Sequence, residues 1–369
     1  MLARTEINTG RQIEFDYLKG CFIPFILLIH SFQLLGGALA EVPAYKITYI
    51  VSTMTGSAIF LFVLGLGTTY SQRSAKRLVG DGIRLIILEF VWNALTLVVP
   101  LFFGMGLRQI VGAQTNWDII LEVAPTYLQY INIFFIAGVC YLIIALLRYL
   151  KLPTWCYFAL SLFFMVVNPF LYMNDKSTGY EFLDYILTTF AGGRTGVSLC
   201  TLAHIPYALL GVGFGKILRR TESKEKLYAS LVLPLGIIII IYLIYSFSIN
   251  SGLDEFYAYA RNSYVYPSTL KALANCACIL LASALMFVLR NYIGKIKPLH
   301  NVLIHLSRWN TPYYAVHPFY YCLLSALVLL DPLSATVCML ITPVNWMLCY
   351  LTLRIYNMMR YRCNLSKIH

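Results

Sequence analysis

Apolar runs close to 20 residues long recur along the chain, separated by short stretches in which Lys, Arg, Asp, Gly and Pro collect. Runs of that length predict helices that cross a bilayer, because about 20 residues at a rise of 1.5 Å each match the hydrocarbon thickness. Ten are predicted: residues 20–40, 47–69, 83–104, 126–149, 152–173, 196–216, 227–249, 268–289, 311–330 and 333–355. The fourth begins near the polar turn Ala124–Thr126. The ninth follows a short segment, Leu299 to Asn310, expected to lie at the membrane interface. The first apolar run starts at Cys21 with no small-residue cleavage site after it, so the first helix is expected to remain as a span. No internal repeat or low-complexity linker divides the sequence. The expected fold is all-α, a polytopic membrane bundle of about ten transmembrane helices forming a single domain over residues 1–369.

The connecting segments test that count. With the N-terminus in the cytosol, 22 of the 28 Lys and Arg residues fall on inner segments. The outer segments hold Lys46, Arg108, Lys176, Arg194, Arg261 and Lys271. This bias is what the positive-inside rule requires of an even number of spans with both termini cytosolic. It also leaves the inner face basic enough to hold a polyanionic ligand, although a basic inner face is ordinary for membrane proteins.

Composition agrees. The sequence is 59% hydrophobic and 12% charged, against about 25% charged in soluble domains, and the mean hydropathy is +0.71. The net charge of +12 is spread over loops, so it reports topology and not a nucleic-acid-binding face. Ten cysteines include no CxxC pair and lie almost entirely in or beside apolar runs. They are expected to be small buried hydrophobes, with neither disulfides nor a metal site. Two outer loops, Asn174–Gly196 and Asn250–Pro267, mix Tyr and Phe with Asp and Glu. That suits a polyhydroxylated ligand, and equally an interfacial aromatic belt.

The candidate chemistry begins in the first helix. Lys19 and His30 are eleven positions apart, which at 100° per residue returns to within about 20° of the same face over about 16 Å. Asp16 lies near that face and either fixes Lys19 or merely pairs with it. An ionisable group at mid-membrane is a functional candidate by default. Glu89 and Asn93, four apart on the third helix, are the next candidates. Glu89 either orients His30 or binds the acceptor, or it pairs with Arg84 or a neighbouring helix. His204 serves either an acceptor or helix packing. Gly211, Gly213 and Gly215 form GxGxG with no preceding strand, so close helix packing is expected in place of a nucleotide loop.

Several stretches together resemble the integral-membrane acyltransferase superfamily. Phe15–Gly20, FDYLKG, followed by His30, is similar to its opening Asp-x-x-Arg/Lys-Gly and first-helix histidine, with Lys19 as the basic member. Ile59–Gly65, IFLFVLG, followed by Tyr70, Arg73 and Arg77, resembles its second helix, with Leu64 where serine is usual. Tyr127–Ile131, Leu210–Lys216 and Leu306–Pro318 resemble later pieces in the same order. Some pieces are closer to the heparan-α-glucosaminide N-acetyltransferase branch and others to the acyltransferase-three branch.

The resemblance implies an acyl-CoA-dependent acyltransferase of the inner or plasma membrane, most simply an acetyltransferase. Acetyl-CoA or another acyl-CoA would enter from the cytosol as co-substrate, without a metal. A cell-envelope glycan or glycolipid would wait on the outer side. Lys19, Arg73, Lys76, Arg77 and Arg84 would neutralise the CoA phosphates. His30 would act as general base or as acyl carrier, with Glu89 and His317 as the other catalytic candidates. The alternative is a proton-coupled transporter or flippase with no covalent step. Such proteins often have broken helices in two related halves, and no such symmetry is visible here. The acyl group, the acceptor, the choice of O- or N-acylation and the oligomeric state are left open.

Overall fold

The computed structural model describes residues 2–36, 42–71, 73–99, 117–171, 178–192, 199–250, 252–265, 267–327 and 333–365, without the side chains at 44, 117–120, 123, 181, 261–265, 325–327 and 360–365. Arg108, Asp175, Lys176, Arg194, Tyr266 and Lys367, and the side chains of Arg261, Tyr264, Arg360 and Arg362, therefore lie outside the described residues.

Fourteen α-helices follow one another along the described chain: α1 (Ile13–Leu35), α2 (Pro43–Tyr70), α3 (Ala75–Asn93, continued by a π-helical turn Ala94–Val98), α4 (Trp117–Leu128), α5 (Ile133–Tyr149), α6 (Thr154–Leu171), α7 (Glu181–Ala191), α8 (Thr201–Arg220), α9 (Lys224–Ser248), α10 (Leu253–Val265), α11 (Thr269–Lys295), α12 (Lys297–Arg308), α13 (Asn310–Leu327) and α14 (Ala335–Leu365). No strand occurs among the described residues; only the isolated bridges Leu2–Thr221 and Gly36–Leu333 are formed. The polar residues between apolar runs start the helices. Ser74, Asn132, Ser223 and Ser268 each accept a backbone N–H at the N-terminus of α3, α5, α9 and α11, which satisfies a donor the helix cannot.

Among the described residues seven helices are long and apolar enough to cross a membrane: α1, α2, α6, α8, α9, α11 and α14. That set fits a multi-pass membrane protein. The other three predicted spans fall on α3, which carries Lys76, Arg77, Asp81, Arg84 and Glu89, on α5, only 17 residues long, and on α13. The apolar side chains of α9 point away from the bundle, with Leu233 and Ile244 73% and 65% exposed. A soluble domain would not leave such a surface uncovered. The segment expected at the interface forms α12, an amphipathic helix that buries Leu303 and Leu306 and exposes Lys297.

Helix α8 is the most enclosed of the seven, and glycine makes that possible. A Cβ at Gly65 would sit 1.9 Å from Ala208 O, and one at Gly211 would sit 2.0 Å from Phe62 O. The GxGxG run is therefore a helix-packing surface, as expected. The same device brings α3 to α5 at Gly82 and Gly138.

The basic helix ends gather at one end of the bundle. Arg148 at the end of α5 donates to Arg73 O (2.5 Å) and Thr68 O (2.7 Å), and Arg219 on α8 reaches Thr69 O. Lys224 pairs with the buried Glu14 at 2.9 Å. The N-terminal segment straps the same end, with Ala3 N on Arg220 O and Ile7 N on Arg219 O.

Candidate functional site

The predicted fourth span, 126–149, is not continuous. Asn132 is extended, and the chain breaks between α4 and α5 at residues 129–132. A break inside a bundle frees backbone groups that must find partners. Asn93 supplies two, its Nδ2 donating to Leu128 O (3.0 Å) and Tyr130 O (2.7 Å). Each carbonyl left unpaired would cost about 1–3 kcal/mol. Glu89, one turn earlier on α3, accepts Phe135 N at 2.8 Å, so its carboxylate caps the start of α5, where a negative charge suits the helix dipole. Both side chains are buried. Glu89 is thus placed against the backbone of α5, and among the described residues it forms no hydrogen bond with His30 or His317.

His30 and His317 meet. His30 Nδ1 lies 2.6 Å from His317 Nε2, with the rings stacked at 4.9 Å and 22°. His317 Nδ1 lies 3.0 Å from Tyr313 O. A carbonyl only accepts, so in neutral His317 the proton is on Nδ1 and Nε2 is a lone pair. His30 Nδ1 is then the donor between the rings, and His30 Nε2 carries a lone pair with no hydrogen-bond partner among the described residues. His317 is fully buried, whereas His30 is half-buried. Asn345 on α14 donates to His317 O at 3.1 Å, and Tyr321 Oη on α13 donates to Leu27 O at 2.7 Å, tying α13 to α1. The Tyr314 ring packs T-shaped against both imidazoles, at 6.1 and 5.5 Å. Tyr314 in turn donates to Asn132 Oδ1 at 3.2 Å. An imidazole held in one tautomer, with a lone pair free and its ring bordering open space, is equipped to take a proton.

That open space is a cavity of about 680 Å³ lined by His30, with Gln33, Ser52, Thr53, Tyr130 and Asn132 among its polar groups. Among the described residues no Lys, Arg, Asp or Glu side chain lines it. A second cavity, of about 560 Å³, lies toward the basic end and is lined by Lys19, Arg73, Arg84 and Arg308 against one carboxylate, Asp81. Asp81 pairs with Arg73 at 2.8 Å and Arg84 at 3.9 Å. Lys19 stands 3.7 Å from Asp16, which also takes Arg11 at 2.5 Å and Ser307 Oγ at 2.6 Å. Phe60, Ile133 and Tyr314 line both cavities.

Of the residues singled out in the sequence, Lys19, Arg73 and Arg84 line the basic cavity. His30 lines the neutral one, with His317 directly behind it. Lys76 and Arg77 are exposed and line neither. His204 is buried in α8, its Nδ1 donating to Cys200 O at 2.7 Å, away from both cavities. Arg308 was overlooked as a binding residue, although it sits in the late motif with His317. Tyr314 carried a signal too, lying one turn before His317 on the same face. Among the described residues no group of three or more His, Cys, Asp or Glu side chains could hold a metal ion. We find no match between this chain and any protein-family model or curated protein sequence.

Proposed function

We propose that this protein is a membrane acyltransferase that moves an acyl group, most simply acetyl, from acyl-CoA in the basic cavity to a hydroxyl or amine of an acceptor in the neutral cavity. The observation that carries the reading is the His30–His317 pair at the wall of an uncharged, aromatic cavity that shares a boundary with a cation-lined one. In the basic cavity, Lys19, Arg73, Arg84 and Arg308 neutralise phosphate groups. In the neutral cavity, hydroxyl, amide and ring groups suit a glycan or glycolipid. His30 Nε2 takes the proton of the acceptor as its oxygen or nitrogen bonds to the acyl carbon. The carbon–sulfur bond breaks, and the CoA thiolate takes that proton from the imidazolium. His317 Nε2 accepts from His30 Nδ1–H throughout, and that bond strengthens while His30 is charged. Ten spans with both termini in the cytosol complete the proposal, since the basic end gathers the segments the positive-inside rule assigns to the inner face of a plasma or bacterial inner membrane.

The test uses purified full-length protein. Saturating acetyl-CoA should raise its Tm, since a ligand that binds only the folded state stabilises it. Membranes given labelled acetyl-CoA should then pass the label to an endogenous glycan or lipid. No Tm shift, together with uptake of a labelled solute into proteoliposomes, would replace this reading with a transporter.

A further inference from the structure

We propose that Phe60 sets the width of the passage between the two cavities and so decides which acyl groups reach His30, an inference that rests on the acyltransferase reading for its substrate but not for its geometry. Three residues form the boundary, and two are fixed. Tyr314 is held through its hydroxyl by Asn132, its ring stacks on Trp92 at 6.3 Å and 21°, and the edge of Phe134 meets it at 5.3 Å. Trp92 is itself anchored by Nε1 to Ala315 O at 3.0 Å. Ile133 is the first residue of α5, its backbone N–H bonded to Asn132 Oδ1 at 2.8 Å. Phe60 differs. It is half-buried on α2 at the edge of the cluster around Ile23, Leu27 and Leu306, has no polar side-chain atom to anchor it, and its ring forms no aromatic pair among the described residues.

The backbone beneath Phe60 is rigid, because α2 is locked to α8 two residues on at Phe62 and five on at Gly65. Motion at this position is therefore side-chain rotation, a fast event that needs no helix movement. With Tyr314 and Ile133 immobile, the gap that Phe60 opens is narrow on two sides. It suits an unbranched chain arriving end-on. A branched or aromatic acyl group has to displace a wall that is held by hydrogen bonds. Phe60 is accordingly a specificity-determining residue, and its size fixes both the traffic between the cavities and the acyl preference.

Cys322 provides a native reporter, since it lines the neutral cavity and is half-buried. Sealed vesicles of each orientation, carrying wild-type, Phe60→Ala, Phe60→Leu or Phe60→Trp protein, would be treated with a charged, membrane-impermeant methanethiosulfonate reagent. Modification at Cys322 is then mapped by mass spectrometry. From the basic face, Phe60→Ala should speed modification several-fold, Phe60→Leu less so, and Phe60→Trp should slow it below wild type. From the opposite face all four should match. Equal rates from the basic face would overturn the proposal, and Phe60→Leu keeps it testable should the alanine variant fold poorly. Acyl transfer is measured in parallel with acetyl-CoA and isobutyryl-CoA. Phe60→Ala should narrow the preference for acetyl by about tenfold, and an unchanged preference would overturn the specificity claim. If the Cys322 pattern holds while wild type transfers no acyl group from any thioester, the passage stands and the acyltransferase reading falls.

Discussion

The two cavities abut, yet among the described residues one is lined by four cations and the other by no charged side chain. The difference follows from where each is cut through the bundle. The basic cavity takes three of its four cations from near helix ends and the short connections between them, Lys19 near the start of α1, Arg73 after α2 and Arg308 at the close of α12, while Arg84 lies within α3 beside Asp81. Charge is cheap there because water and counterions are close. The neutral cavity is cut through the apolar stretches of α1, α2 and α13 beside the α4–α5 break, and within an apolar span an unpaired Lys or Arg costs several kcal/mol. Imidazole is the exception among basic side chains, since it is neutral at rest and charged only in passing. A proton-transfer group in the inner chamber has to be of that kind, and His30 with His317 meets the requirement. The comparison thus assigns tasks: charge for holding, a neutral base for chemistry.

The largest effect expected is at His30. His30→Ala should lower acyl transfer by about 10³-fold or more, in the range of a lost general base, with Tm and acetyl-CoA affinity unchanged; turnover near wild type would remove the neutral cavity from the mechanism. A second measurement sharpens the same point. Release of CoA in a burst equal to the enzyme concentration, without acceptor, would assign His30 as an acyl carrier, and its absence would assign it as a base. His317→Ala ranks next. It leaves His30 Nδ1–H without an acceptor and frees the ring to flip, so kcat should fall by about 10²-fold with KM for acetyl-CoA little changed. His317→Gln restores an acceptor oxygen and should recover part of the loss, whereas a purely structural role would show no such rescue.

Much of this arrangement was legible in the amino-acid order, and the gaps have a common cause. Helix positions follow from apolar run length, a local property, and seven of the ten predicted spans coincide with described helices long and apolar enough to cross a membrane. The interruption at 129–132 was not legible, because Leu128, Tyr130, Ile131 and Ile133 continue the apolar pattern across it. What stabilises the break is Asn93 and Glu89 on another helix, and a single sequence cannot say which backbone groups a distant side chain will satisfy. Glu89 stands out in the sequence as an ionisable residue in an apolar run, yet its partner is an N–H of a helix start that the pattern does not reveal. The His30–His317 pair has the same character. Each residue was a candidate alone, but 287 positions separate them, and only the packing of α13 on α1 brings the rings together.

The basic cavity carries the smaller predictions, and they separate its cations from their neighbours in sequence. Lys19→Ala and Arg73→Ala should each weaken acetyl-CoA binding by about tenfold, the worth of one charge-assisted hydrogen bond, while leaving kcat nearly unchanged. Neither substitution orphans a carboxylate, since Asp16 keeps Arg11 and Ser307, and Asp81 keeps Arg84. A loss of affinity would then report on the ligand and not on misfolding. Lys76→Ala and Arg77→Ala remove the same charge about two turns of helix before Arg84 in α3, but from exposed positions outside the cavity. Their contribution is long-range and screened by salt, with a Debye length of about 8 Å at physiological ionic strength. At that ionic strength they should change affinity by less than about twofold, and the small change should vanish as salt rises. Equal losses at all four positions would mean that the phosphates are held by a diffuse field over the basic end, and that the cavity walls do not select them.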